Sequence, residues 1–399
     1  MMDFTLTDAQ KTVQELARDF VKREVEPVAA ERDRISNWEE RMPWDLVEKA
    51  SALGLQQLPY PEEAGGRGAD VLTCCIVGEE LAVGDLGFAV NLDQTWKLAH
   101  ILDKVDPSVR DLWIKRLCEE PRFLTAIAIT EPGAGSDHQG YFDDPSIALY
   151  TRAEKKGGKW VINGMKHYIS NGPVASLYVV AARTDMKKPL REGLTGFLVP
   201  RETEGFSIGK VHEKVGQRLS MNSELLFDNV EIPQDHLILG EGRMWEIRGR
   251  LLSCGKPEAA ANCVGVGRAA FEKALAYARE RVQGGKPIVE HQAVSSMLAD
   301  MAIGLDTART MVWRTAWAVD HMEPYDFTLG WKCKVFASEV AFECARKGIE
   351  IFGGAGIMQE APMEKYLRDA STFLHSDGTN QVLRLRTARA YVDGSASVF

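Results

Sequence analysis

The hydrophobic period of this chain changes twice, and those two changes limit its fold more than any other feature. Up to about residue 120 apolar residues recur at spacings of three and four, as in Val13, Leu16, Ala17 and Phe20 after Thr7-Asp8. Asp45–Leu53 repeats the pattern, the proline and glycines of 60–68 interrupt it, and further helices are expected over 70–84 and from about 92 to 119. From Phe123 to about Leu237 the texture is that of strands. Short runs at 148–153, 159–163, 177–183 and 196–200 are separated by Gly, Asn, Pro and Asp. Lys156-Gly-Gly-Lys reads as a hairpin turn, and antiparallel pairing is expected because no long amphipathic helix intervenes. From about 243 the helical period returns over 243–282, 289–321, 327–353 and 379–393. The expectation is a mainly α chain with a β middle domain: helical 1–120, β 121–238, and a helical bundle over 239–399.

Charge and cysteine usage narrow the class. With 48 Lys+Arg against 57 Asp+Glu the net charge is -9, which argues against nucleic acid and anionic membranes as partners. No run of eighteen apolar residues occurs, and the first twenty residues carry no apolar signal segment. The seven cysteines are odd in number and contain no CxxC pair, as expected of buried free thiols in a reducing cytoplasm. The eight histidines show no metal-ligand spacing, so no metal is expected, and no GxSxG or Cys–His arrangement suggests a nucleophile.

Five segments could carry chemistry. Thr130-Glu-Pro-Gly-Ala-Gly-Ser-Asp137 follows an apolar run, and its glycines allow close backbone approach to a ligand. In Asn163–Gly172 an aromatic, Tyr168, and a hydroxyl, Ser170, stand two apart on one face of a strand, suited to a flat heteroaromatic ring or to an ordinary polar edge. Arg281 ends a helix before Gly284-Gly285 and a new helix at Gln292, which suits phosphate or a plain joint. Glu350-Ile-Phe-Gly-Gly-Ala-Gly356 reads equally well as a helix cap. In His375-Ser-Asp-Gly-Thr379 a lone Asp377 before a helix would ordinarily be an N-cap.

Taken in order, TEPGAGSD at 130–137, INGMKHYISNG at 162–172, ER…GGK…EHQA at 280–293, IFGGAG at 351–356 and RDA…DGTNQ at 368–381 resemble the acyl-CoA dehydrogenase superfamily over nearly the whole chain. The resemblance implies an N-terminal helical domain, a β-barrel-like middle domain and a C-terminal four-helix bundle. It also implies noncovalent FAD, a homotetramer, an acyl-CoA substrate and an electron-transferring flavoprotein as acceptor. By it, Thr130, Tyr168, Ser170, Thr379 and Gln381 contact the cofactor. Arg281, Gln292, Gly353 and Gly354 reach it from a neighbouring subunit, and Ser136 and Lys256 serve the CoA side. Glu350 stands where the family has glutamine. The implied chemistry is removal of the thioester α-proton by a carboxylate and of the β-hydride by flavin.

The base implied is Asp377, where most of the family has glutamate. Aspartate is shorter by about 1.5 Å, and a misplacement of about 1 Å can cost on the order of 10²-fold. The family's other base position matches Gly255, which offers no carboxylate. Burial beside an acyl chain is expected to raise the Asp377 pKa. Asp93, in Phe88–Thr95, matches the helix lining the acyl pocket. It reads as a second base, a receptor for a polar substrate group, or a solvated helix residue. Aspartate bases occur in dehydrogenases of cyclohexane- and cyclohexene-carboxyl-CoA, where 1,4-removal of hydrogen also occurs, and in nitroalkane oxidases. The retained TEPGAGSD favours the CoA-dependent branch, with a cyclic or branched acyl group.

Overall fold

The structure is a computed structural model that describes residues 4–139, 144–147 and 149–396. Ala148, placed above in a strand, and the outermost residues of the first and last expected domains lie outside the described residues.

Helices α1 (Asp8–Phe20), α2 (Glu26–Asp33), α3 (Trp38–Arg41), α4 (Trp44–Ala52), α5 (Val71–Gly84), α6 (Leu86–Ala99) and α7 (Pro107–Glu119) come first. Thr7 caps α1 in a reciprocal capping box with Gln10. The single stretch expected from about 92 to 119 is two helices, because Asp106 accepts from Ser108 N–H and Pro107 opens a new first turn. Nearly every residue of α6 is buried, the polar Asn91, Asp93, Gln94, Thr95 and Lys97 included, so this helix is enclosed on all sides rather than along one stripe.

The middle region is one sheet in the order β6 (Phe206–His212), β7 (Asn222–Ile232), β3 (Lys159–Ser170), β2 (Arg152–Lys156), β4 (Leu177–Arg183), β5 (Leu194–Pro200) and β8 (Leu237–Ile238), with β1 (Thr125–Ala128) also on β4. Pairing is antiparallel except where β4 meets β1 and β2. Gly157 and Gly158, both at positive φ, close the β2–β3 hairpin. All of β4 is buried. Leu177, Val179 and Ala181 enter a core shared with α7, while Tyr178, Val180 and Ala182 enter the core inside the sheet.

Short α8 (Leu190–Gly193) lies between β4 and β5. The C-terminal helices are α9 (Met244–Glu280), α10 (Gln292–His321), α11 (Phe327–Phe352), α12 (Met363–Thr372) and α13 (Asn380–Val392), with a small β9 (Val282–Gln283) and β10 (Lys286–Pro287) ribbon after α9. The strongly polar α12, absent from the sequence reading, supplies a short extra helix. The largest hydrophobic core joins α9 to α5, α6, α10 and α11. Pro257 inside α9 removes an N–H from the helix ladder beside the cleft described next.

Candidate active site

A cleft of about 780 Å³ opens between the sheet, α6, α9 and the turn before α13. The sequence fixes that turn locally. Asp377 has φ +51 and Gly378 φ +86; Asp and Gly are among the residues that enter the left-handed region most readily. A Cβ on Gly378 would also meet Gln139 Oε1 at 2.7 Å. Thr379, not Asp377, is the N-cap of α13, accepting from Val382 N–H, so the Asp377 carboxylate is left for the cleft.

Three lysines surround it. Lys97 Nζ is 3.3 Å from Asp377 Oδ1. Lys256 Nζ donates to the Asp377 carbonyl. Lys334 Nζ donates to the Gly378 carbonyl and to Asn380 Oδ1, both at 2.9 Å. Burial pushes the Asp377 pKa up, but the ammonium groups of Lys97, Lys256 and Lys334 outweigh it and hold the carboxyl below its ordinary value. The elevated pKa expected from the sequence is therefore reversed. Periodicity could not reveal that three cations from α6, α9 and α11 converge on one carboxylate. Burial, with the neighbouring Lys334, Lys97 and Arg248, brings Lys256 down to about 7, and burial alone brings Lys334 to about 8.

The opposite wall is aromatic and polar. Tyr168 and Ser170 both line the cleft, but not by strand alternation. The β3–β7 register slips between Lys166 and Ile169, and Tyr168 sits at φ +59 in that bulge. Tyr168 stays 59% exposed, and its ring stacks on His167 at 3.8 Å. Asn222 Nδ2 donates to the Tyr168 carbonyl at 2.8 Å and to Ser170 Oγ at 3.2 Å. His167, His212 and Glu224 meet behind the ring, their ligand atoms within 4.8 Å of one another, a grouping their sequence spacing does not suggest. Thr130 and Ser136 line the cleft too. Their loop is tied to β3 by the buried Glu131–Lys166 pair at 2.7 Å.

Asp93 is fully buried behind Lys97, 3.1 Å from its Nζ, and does not line the cleft. Lys97 lines it instead, crossing the space a side chain at Gly255 would take: a Cβ there would lie 3.0 Å from Lys97 Cε. Sequence reasoning missed Lys97, and its only signal was the i,i+4 spacing from Asp93. Missed as well were Lys214, Arg248 and the buried His138 on the wall. Arg281, Gln292, Gly353, Gly354 and Gln381 are not brought to this cleft; all five are exposed elsewhere on the C-terminal helices and their joints.

This arrangement can hold a flat ring against Tyr168 and present an ionised carboxylate from the facing wall of the cleft. Comparisons with known proteins name the family. Family models for the N-terminal, middle and C-terminal domains of acyl-CoA dehydrogenases match residues 7–120, 126–230 and 245–392. A cyclohex-1-ene-1-carbonyl-CoA dehydrogenase of Geobacter metallireducens is 36% identical over 96% of this chain and 98% of its own. A short-chain-specific acyl-CoA dehydrogenase of Clostridium acetobutylicum is 33% identical over 96% of this chain and 98% of its own. Butyryl-CoA dehydrogenase from Megasphaera elsdenii superposes with a TM-score of 0.89 at 32% identity, covering 98% of this chain and all of that one. The chain belongs to the acyl-CoA dehydrogenase family, FAD-dependent oxidoreductases that act on CH–CH bonds.

Proposed function

We propose that this chain dehydrogenates a compact, cyclic or branched acyl-CoA thioester, with Asp377 removing the α-proton. The observation that carries this reading is the Asp377 turn, which holds a carboxylate at the cleft while three lysines keep it ionised. FAD suits the cleft, because Tyr168 offers a broad exposed ring and Ser170 a hydroxyl beside it. Thr130, Tyr168, Ser170 and Thr379 would hold the cofactor, which when bound supplies the acceptor for the β-hydride.

The other steps belong to the chain. Asp377 N–H donates to no described residue, which leaves it free to polarise the thioester carbonyl and acidify the α-carbon. Asp377 then accepts the proton at a carboxylate oxygen. Ser136 and Lys256, both on the cleft wall, would serve the CoA side. Lys97 over Gly255, with Val90, Gln94 and Leu251, narrows the inner end and sets a cation there, which disfavours a long alkyl chain. Relatives that act on cyclohex-1-ene-1-carbonyl-CoA support a ring. They also support a second reading, 1,4-dehydrogenation with Asp93 as base, against which stands the position of Asp93 behind Lys97.

Electron-transferring flavoprotein is the proposed acceptor. The exposed Arg281, Gln292, Gly353, Gly354 and Gln381 support assembly into a homotetramer whose neighbours complete the cofactor site. Seven cysteines without a disulfide support a cytoplasmic location. The test is an anaerobic panel of straight, branched and cyclic CoA esters followed by flavin bleaching. Compact cyclic esters should bleach fastest. Preference for long straight esters would remove the substrate reading. Oxygen consumption with a nitroalkane, and silence toward every ester, would select an oxidase.

A further inference from the structure

The cleft is one end of a longer seam. Asp93, Lys97 and His100 stand at i, i+4 and i+7, one stripe of α6, and face Gly255 and Glu258 on α9. Lys97 Nζ bridges Asp377 Oδ1 at 3.3 Å and Asp93 Oδ2 at 3.1 Å. Glu258 Oε1 is 2.7 Å from His100 Nε2. The side chains of Asp93 and Glu258 are each 1% exposed. Asp93 Oδ1 and Glu258 Oε2 are buried and accept no hydrogen bond among the described residues, although the Glu258 charge is felt at Asp93. His100 in turn lines a second cleft, with Asp70, Arg250 and Asp320, away from the first.

Burying four ionisable side chains along one helix seam costs several kcal/mol per ion, and neither cofactor nor thioester needs the inner three. We propose that Asp377, Lys97, Asp93, Glu258 and His100 form a proton path that carries the substrate's proton from the first cleft to the second. The inference rests on Asp377 being the base.

The steps balance. The α-C–H bond breaks, its electron pair stays on the substrate, and the proton forms an O–H on Asp377. Asp377 passes that proton to Lys97 Nζ while Lys97 gives one of its own to Asp93 Oδ2. The ammonium count is unchanged, Asp377 is a carboxylate again and Asp93 is a carboxylic acid. Asp93 then protonates the Glu258–His100 pair, which sheds one proton at the second cleft. The affinities run the right way: Asp377 is held low by the three lysines, whereas burial raises Asp93 to about 7 despite Lys97. The charged and titratable groups facing the path are Lys256 and Lys334 at the inlet, Cys263 near Asp377 and Asp93, Cys74 and Cys75 near Glu258, Cys254 beside His100, and Asp70 and Asp320 with Arg250 at the outlet.

The experiment uses the FAD-loaded enzyme in D₂O with a 3-thiaacyl-CoA, which loses an α-proton but no β-hydride. Long-wavelength absorbance reports the bound enolate, and mass spectrometry reports deuterium at the α-carbon. In Asp93→Asn and, separately, Glu258→Gln, enolate should still form while deuterium incorporation falls about tenfold or more, because the trapped proton returns to its own carbon. Wild-type incorporation in both variants overturns the path and leaves the base intact. Enolate that persists in Asp377→Asn and vanishes in Asp93→Asn overturns the base assignment, and the path with it. Infrared titration without ester gives an independent readout. A carboxylic-acid band titrating near neutral pH should be present in wild type and absent in Asp93→Asn; its absence from wild type overturns the path.

Discussion

At Asp377 a single carboxylate is asked to accept a proton while three cations hold it ionised. Asp377→Asn should therefore lower the rate of flavin bleaching by about 10²–10⁴-fold with FAD still bound, as stopped-flow absorbance would show. Lys97 sets the working range of that carboxylate. Its ammonium lowers the Asp377 pKa, so in Lys97→Met the carboxyl should keep its proton to higher pH. The ascending limb of kcat/KM should move upward in pH, read from the rate profile with one good ester. The same variant strands Asp93 in the interior. Breaking a buried pair costs about 3–5 kcal/mol, a drop that urea unfolding would report.

Helix α9 lines the cleft, and α5 packs closely against its other side at Gly265. A Cβ on Gly265 would meet the Glu79 carbonyl oxygen at 2.4 Å and Ala82 Cβ at 2.7 Å. Neither can step aside as a flexible side chain would. Gly265→Ala should destabilise the chain by about 1–3 kcal/mol, seen as a lower urea midpoint with unchanged slope. Elements of this kind were partly legible in the sequence. The α1 cap and the β2–β3 hairpin are local, and Thr7 and Gly157-Gly158 announced them. The break at Asp106-Pro107 was equally local but was masked by apolar residues on both sides. The Tyr168 bulge arises from pairing with β7, some fifty residues away, and no local pattern encodes it. Asp377 was legible through the order of the motifs. Lys97 was not, since a lysine four residues after an aspartate ordinarily marks a solvated helix face, and only the packing of α6 puts it indoors.

Across the whole molecule the helices are tied by a charged knot as well as by the core. Glu80, 1% exposed, accepts from Arg18 on α1 and Arg268 on α9, while Glu79 accepts from Arg268 and from Arg309 on α10. Burial raises the Glu80 pKa, but Arg268 and Arg18 outweigh it and leave it below the ordinary 4.5. A carboxyl depressed in the folded state stabilises above its unfolded pKa and loses that contribution as pH falls through the folded value. Urea midpoints should therefore decline below about pH 4.5 more steeply in wild type than in Glu80→Gln, which starts lower at pH 7. Equal slopes would show that this knot carries no acid sensitivity.

The lysine stem threaded over Gly255 has an evolutionary consequence. A carboxylate moved to that α9 position would crowd the Lys97 stem, its Cβ 3.0 Å from Lys97 Cε, so relocating the base from the α13 turn requires the lysine to shift. The two positions are thereby coupled, and an engineered Gly255→Glu should gain more function in a Lys97→Ala background than alone, read as the rate of flavin bleaching in Asp377→Asn.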